Sequence, residues 1–296
     1  MKIIITIAGI FFNLSLFAQN NNEVFSRLQA VSNNGTEFYN IDGIEITKET
    51  YTNDFSDEGL KKPFRKYSIK KDLVKIKDTA LPFNNYYILK SETISSGINQ
   101  NTSYYFIEDT KKWLTIVSFS SFKKPDKLFE REFVKLIYNG SIPKEVFTPL
   151  GIDSINFIGR KIPLGKSCRW MSINNVQCPY YGQMSWSVHK ELSDAQNTLN
   201  THFEVTKLKK AGKIISESEV EIIFEGTQTK AKKIIYDFTG IKSLMVGMSG
   251  SKTMTIYYVA TEVRNHFVSC TLSFWDNDNI NPSGLPPLLE AVMKLK

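Results

Sequence analysis

The sequence predicts an α+β protein of two related domains, each a mostly antiparallel sheet with packed helices. Three observations predict it. Two aromatic-rich segments, Tyr104–Phe122 and Tyr257–Trp275, align without a gap. Each is followed by a polar linker and an apolar-patterned run. Between residues 218 and 275, strand candidates rich in β-branched and aromatic residues follow one another in series. Sequential strands with tight connections form antiparallel sheets that bury one or both faces under helices.

The N-terminus comes first. "MKIIITIAGIFFNLSLFAQN" has Lys2, an apolar run from Ile3 to Phe17, then Ala18. That order reads as a signal peptide over residues 1–18, and the mature chain is expected to be exported. The run is short for a spanning helix, which needs about 20 apolar residues. A buried N-terminal helix is the rival reading. No later run is long enough to span a membrane.

A first α+β domain is expected over 19–145. Within it, "KKPFRKYSIKKDLVKIK" (Lys61–Lys77) holds eight Lys or Arg and one acid, Asp72. Lys61, Lys62, Arg65, Lys66, Lys70 and Lys71 are candidate contacts for an acidic protein or an anionic surface. The plainer reading is a solvated amphipathic face or a sheet edge guarded by lysines. No nucleic-acid motif accompanies the charge, so nucleic acid is not the expected partner.

In the aligned pair, Tyr104-Tyr105 falls on Tyr257-Tyr258, Lys111 on Arg264, Leu114 on Phe267 and Phe122 on Trp275. "EFVKLI" (Glu132–Ile137) then meets "EAVMKL" (Glu290–Leu295). Each unit reads strand, charged turn, strand, loop, amphipathic helix. Leu128, Phe129, Val134, Leu136 and Ile137 supply the first helix's apolar residues. Leu288, Leu289, Val292 and Leu295 supply the second's, behind Pro286-Pro287. "SIPKEVFTPLG" (Ser141–Gly151) suits a boundary, and a second domain is expected over 151–296.

The second domain opens with a strand and turn in "INFIGRKIPLG". "CRWMSI" and "VQC" then flank a turn-forming Asn pair, and "GQMSWSV" is a further strand. A helix follows, with Ser193 and Gln196 spaced as a capping box and Leu192, Ala195, Leu199 and Phe203 on one face. This order of elements, ending in the pair "IYYVATEVRNHFVSCTLSFW", resembles the PsbP/Mog1 fold group over roughly Ile155–Lys296. The resemblance implies a chiefly non-enzymatic interaction protein and carries no functional residue with it.

Cys168 and Cys178 flank the Asn turn, so antiparallel strands bring them together. In an exported chain they are read as a disulfide. Two free thiols, or zinc held with His189 and His202, are the rivals; the spacing departs from a zinc finger's. Cys270 alternates within a strand and is expected in a core. Trp170, Tyr180, Tyr181 and Trp186 beside the staple are either core material or a binding face.

Other motifs fail. "GMSGSKT" (Gly247–Thr253) lacks the glycine before the lysine and leads into a strand, so it is read as a turn. "WDNDNINPSG" (Trp275–Gly284) lacks the closing glutamate of a calcium loop. No catalytic residue, metal or cofactor is assigned. The function expected is an exported, non-catalytic binding or interaction protein with a broad aromatic or basic surface. The alternatives are a small-ligand or metal carrier, with an apolar cavity or bound ion, and a secreted hydrolase of glycans or peptides, with converging carboxylates or a histidine triad.

Overall fold

The computed structural model describes residues 23–70, 72–95, 97–151, 153–165, 167–209, 212–238 and 251–296. The expected signal peptide lies outside the described residues. So do Lys71 and most of the "GMSGSKT" segment.

The first strands form because alternating residues bracket turns that demand positive φ. β1 (Gln29–Asn33), β2 (Thr36–Ile41) and β3 (Ile44–Tyr51) run as a meander. Its two-residue turns are Asn34-Gly35 and Asp42-Gly43, with φ of 48° and 79°, then 53° and 76°. Positive φ at both central positions matches the right-handed twist of a hairpin.

Helix α1 (Asp57–Lys66) follows. The Ser56 hydroxyl accepts from Gly59 N–H, acids fill the first turn, and Arg65 and Lys66 fill the last. That arrangement satisfies an orphan donor and complements the helix dipole. β4 (Asn85–Ser95), β5 (Ile98–Glu108) and β6 (Leu114–Ser121) form a second meander. Helix α2 (Lys127–Tyr138) is capped by Asp126, which accepts from Leu128 and Phe129 N–H at 3.0 and 3.1 Å.

β7 (Phe147–Thr148) lies parallel to β1 and completes a seven-stranded sheet of order β4-β5-β6-β3-β2-β1-β7. The first sheet therefore runs past residue 145, into the stretch expected to be linker.

β8 (Ser154–Phe157) and β9 (Arg160–Pro163) make a separate hairpin. β10 (Arg169–Ser172), β11 (Asn175–Cys178) and β12 (Gly182–His189) form a meander, followed by α3 (Leu192–Lys207). β13 (Gly212–Phe224), β14 (Thr227–Phe238), β15 (Thr253–Val263) and β16 (His266–Trp275) form the next meander. A four-residue helix, α4 (Pro287–Glu290), and β17 (Met293–Leu295) end the chain. All pairings in this eight-stranded sheet are antiparallel, in the order β10-β11-β12-β16-β15-β14-β13-β17.

The molecule is mostly antiparallel sheet, and the two sheets follow one path. A meander leads to a helix and then to a second meander, whose last strand pairs with the last strand of the first: β6 on β3, and β16 on β12. In the first sheet, Leu60 of α1 packs with Phe106 and Ile116, while Phe133 and Val134 of α2 pack with Tyr39 and Phe119 on the other face. In the second, Leu199 and Phe203 of α3 meet Ile234 and Tyr258, while Leu288 and Leu289 meet Val259 and Leu272 opposite.

Three local expectations are corrected. The aligned segments are both hairpins, but Tyr105 pairs with Val117 while Tyr258 pairs with Thr271. The gap-free alignment is thus one residue out of register across the turn, which exchanges the faces of the second strand. The loop is the cause: Glu108 pairs with Leu114 around a five-residue turn, whereas Val263 pairs with His266 around Arg264-Asn265. The final amphipathic helix stops after one turn, because Met293–Leu295 pair with Phe224–Ile222 at the sheet edge. The capping box does not form: Glu191 is the N-cap of α3, without a side-chain cap bond, and Ser193 Oγ donates to Glu191 instead.

Candidate functional site

The Asp42-Gly43 turn carries the first sheet onto the second. Asp42 N–H donates to Val188 O at 2.9 Å, and Lys190 N–H donates to Asp42 Oδ1 at 2.9 Å. Arg27 Nε reaches the same carboxylate at 3.1 Å. Beside this turn, Lys123 Nζ pairs with Asp194 at 3.0 Å and the Phe122 ring lies 6.5 Å from that of His202. Farther along, Asn174 bonds Gln29 and Trp170 Nε1 donates to Pro149 O at 3.2 Å.

A cleft of about 750 Å³ opens next to this junction. Its lining is aromatic and aliphatic: Ile44 and Phe129 are partly exposed, and Phe119 and Phe133, 3% and 1% exposed, lie just beneath in the first sheet's core. The three phenylalanines stand 5.8 to 6.3 Å apart, edge-on or tilted. Leu128, 71% exposed, stands on the rim. Arg27, Lys123 and Lys190 face Asp42 and Asp194 around the mouth, so side chains from both halves of the chain line it. Cleft volumes of about 300–1,000 Å³ with an apolar lining and a few polar groups are typical of ligand sites.

Glu130 is the buried acid of the cleft, 3% exposed. Tyr105 Oη donates to Glu130 Oε2 at 3.0 Å. Burial pushes the carboxyl above the usual carboxylate range, against the pull of its hydroxyl partners and Lys127. Lys127 stands over the Tyr87 ring, and burial lowers its ammonium below the ordinary lysine value. Burial would also raise Asp78 nearby, but Arg131 at 2.8 Å holds it low.

His189 lies at the junction, 1% exposed, with Nε2 2.8 Å from Ser269 Oγ. Its Nδ1 has no partner among the described residues. Burial, with Lys123 nearby, pushes the imidazole down to about 4. It is therefore neutral near pH 7.

The residues singled out from sequence fall in three places. Cys168 and Cys178 form the disulfide, and Cys270 is a buried free thiol. Trp186 is 3% exposed and edge-on to Phe157, so it belongs to the core and not to a binding face. Trp170 is half-buried, 6.0 Å from Trp186. Tyr180 and Tyr181 are exposed at 58% and 39%. The four rings thus do not make one open surface, because β12 turns Trp186 inward with Met184 and Val188. Lys61, Lys62, Arg65, Lys66 and Lys70 are exposed on α1 and just beyond it.

Asp276 and Asp278 serve their own loop. Asp276 accepts from Lys252 and Thr253 N–H, and Asp278 from Trp275 N–H. Among the described residues, no group of three or more His, Cys, Asp or Glu side chains is placed to hold a metal. No helix among them is long and apolar enough to cross a membrane.

The cleft was not legible beforehand, since residues 23–44 and 119–136 meet through the distant β3–β6 pairing and 190–194 join them only through the sheet-to-sheet contact. One signal was available. Asp-Gly between Tyr39/Ile41 and Ile44/Ile46 is a strong hairpin pattern, and that turn makes the junction.

No family model matches the chain, and no curated protein matches it. One solved structure, the di-domain ARO/CYC StfQ from the steffimycin biosynthetic pathway, aligns at 12% identity over 90% of this chain and 77% of that one, with a TM-score of 0.17. At that score the likeness carries no argument about fold or activity.

Proposed function

We propose that this is an exported binding protein without a chemical step, and that the cleft between the two sheets is its ligand seat. The observation that carries the reading is the apolar lining of Ile44, Leu128 and Phe129, backed by the buried Phe119 and Phe133, beneath a mouth of charged side chains. Such a site suits a ligand with an apolar body and polar ends. It departs from the broad aromatic or basic surface expected of an interaction module, and the same lining favours a small-ligand carrier as the second reading. The disulfide and the apolar N-terminal run support export. The shared path of the two sheets supports two related domains. The helix-covered antiparallel sheet of the second half is consistent with the PsbP/Mog1-like reading of it.

The test is a titration with Nile red, a neutral apolar probe. The intact protein is expected to give a saturable fluorescence rise of one probe per chain. Leu128→Glu places a charge on the rim at a side chain that is already exposed, and is expected to weaken binding about tenfold, since burying a leucine contributes about 1.5–3 kcal/mol. Unchanged affinity in that variant would remove the cleft as the seat.

A further inference from the structure

We propose that the basic end of the first sheet is a docking surface for an anionic lipid bilayer. The eight bases and one acid of Lys61–Lys77 give an excess equal to the whole chain's formal charge of +7, so the rest of the chain is neutral. Every described base in this stretch is exposed. On α1, the four bases at 61, 62, 65 and 66 spread over an arc of about 140°, away from Leu60, Pro63 and Phe64 on the packed side. Lys61, Lys66 and Lys75 pair with Glu58, Glu49 and Asp57. Lys62, Arg65, Lys70 and Lys77 have no ion-pair partner among the described residues.

The second observation is apolar. Val74 and Ile76, between these lysines, are 71% and 52% exposed. Ile76 is held in place: its N–H donates to Tyr87 O at 3.0 Å, and Tyr87 N–H to Ile76 O at 2.7 Å. That bridge fixes Ile76, with Val74 two residues before it, beside β4, the outermost strand, whereas the second sheet joins at the Asp42-Gly43 turn.

Fixed aliphatic side chains ringed by lysines suit a bilayer: the aliphatics enter the headgroup boundary and the lysines meet anionic lipid. A soluble polyanion would use the charges and leave Val74 and Ile76 idle. An acidic protein partner fits less well, because seven of the eight bases are lysine and protein interfaces are depleted in lysine and enriched in arginine.

The test is flotation of the mature full chain with phosphatidylcholine vesicles, with and without phosphatidylglycerol. Binding is expected only with phosphatidylglycerol. Replacing Lys62, Arg65 and Lys70 together by Gln is expected to lower affinity about 100-fold, at ~5-fold per charge. Val74→Ser with Ile76→Ser is expected to lower vesicle affinity about tenfold while leaving heparin binding unchanged. All five side chains are exposed, and circular dichroism confirms that the variants stay folded. Leu128→Glu, at the cleft, is expected to bind vesicles as the parent does, which separates this surface from the ligand seat. No dependence on phosphatidylglycerol would overturn the proposal. Equal vesicle affinity in the Val74/Ile76 variant would also overturn it, and would leave a site for soluble polyanions or acidic proteins.

Discussion

Gly43 and Gly35 occupy the same kind of turn with different surroundings. Both have positive φ, 76° and 79°. A Cβ on Gly43 would stand 3.0 Å from Thr198 Oγ1 and 3.3 Å from His189 Cε1, while one on Gly35 would meet nothing within 4 Å. Alanine at either site incurs the left-handed backbone cost of about 1–2 kcal/mol. Gly43→Ala is expected to cost at least 1 kcal/mol more, read from urea midpoints, because Thr198 or His189 must move. Equal losses would show that the turn does not press on the second sheet. His189 adds a pH dependence. Its folded value of about 4 lies below the unfolded value of about 6.5, so the unfolded chain takes up a proton first as pH falls. Its contribution is complete above about pH 6.5, declines towards pH 4 and is flat below, roughly 3 kcal/mol in all. Thermal melts from pH 7 to 4 are expected to show the decline, and His189→Gln to flatten it. The Asp-Gly turn was readable from its flanking alternation; its contact with His189 joins residues from separate sheets, so no local pattern encodes it.

Among the elements, the stapled hairpin was the most legible. The Asn pair between two short runs placed Cys168, just before β10, opposite Cys178 at the end of β11, and runs rich in β-branched and aromatic residues marked β12 and β13 through β16. The end of the chain was the least legible. Leu288, Leu289 and Val292 follow a helical spacing, yet the open edge of β13 captures Met293–Leu295. A free strand edge outcompetes a short helix because it supplies backbone partners that a single turn lacks. Replacing both Cys168 and Cys178 by Ala is expected to destabilise the protein by about 2–4 kcal/mol, measured by denaturant unfolding. Proteolysis should then start at β10, whose side chains are largely exposed. Loss confined to that hairpin, with the global midpoint unchanged, would mean that the bond secures only the sheet edge.

At the scale of the whole molecule, two kinds of contact hold the sheets together. Asp42 accepts from Lys190 N–H across the junction and from Arg27 within its own half, with a side chain 22% exposed, whereas those of Lys123 and Asp194 are 39% and 38% exposed. Hydrogen bonds to charge in the drier site are worth about 1.5–3 kcal/mol, while exposed pairs contribute about 0–1 kcal/mol. Asp42→Ala is therefore expected to widen the molecule in small-angle scattering and to speed amide exchange at Lys190. Lys123→Ala should leave both near the parent's values. A scattering profile unchanged in Asp42→Ala would mean that the remaining contacts suffice to hold the arrangement.

The joining of two meanders at the centre of each sheet has a consequence in time. Glu45 meets Ser120 at the β3–β6 seam, and Gln183 meets Ser273 at the β12–β16 seam. These central ladders join the parts of each sheet that lie far apart along the chain, and closing so long a loop delays them. Each half-sheet can thus assemble from neighbouring strands while its inner edge still waits for a partner. β3 and β12 are then left open after their own meanders have formed, and the seam at the middle of each sheet closes only after the two meanders beside it.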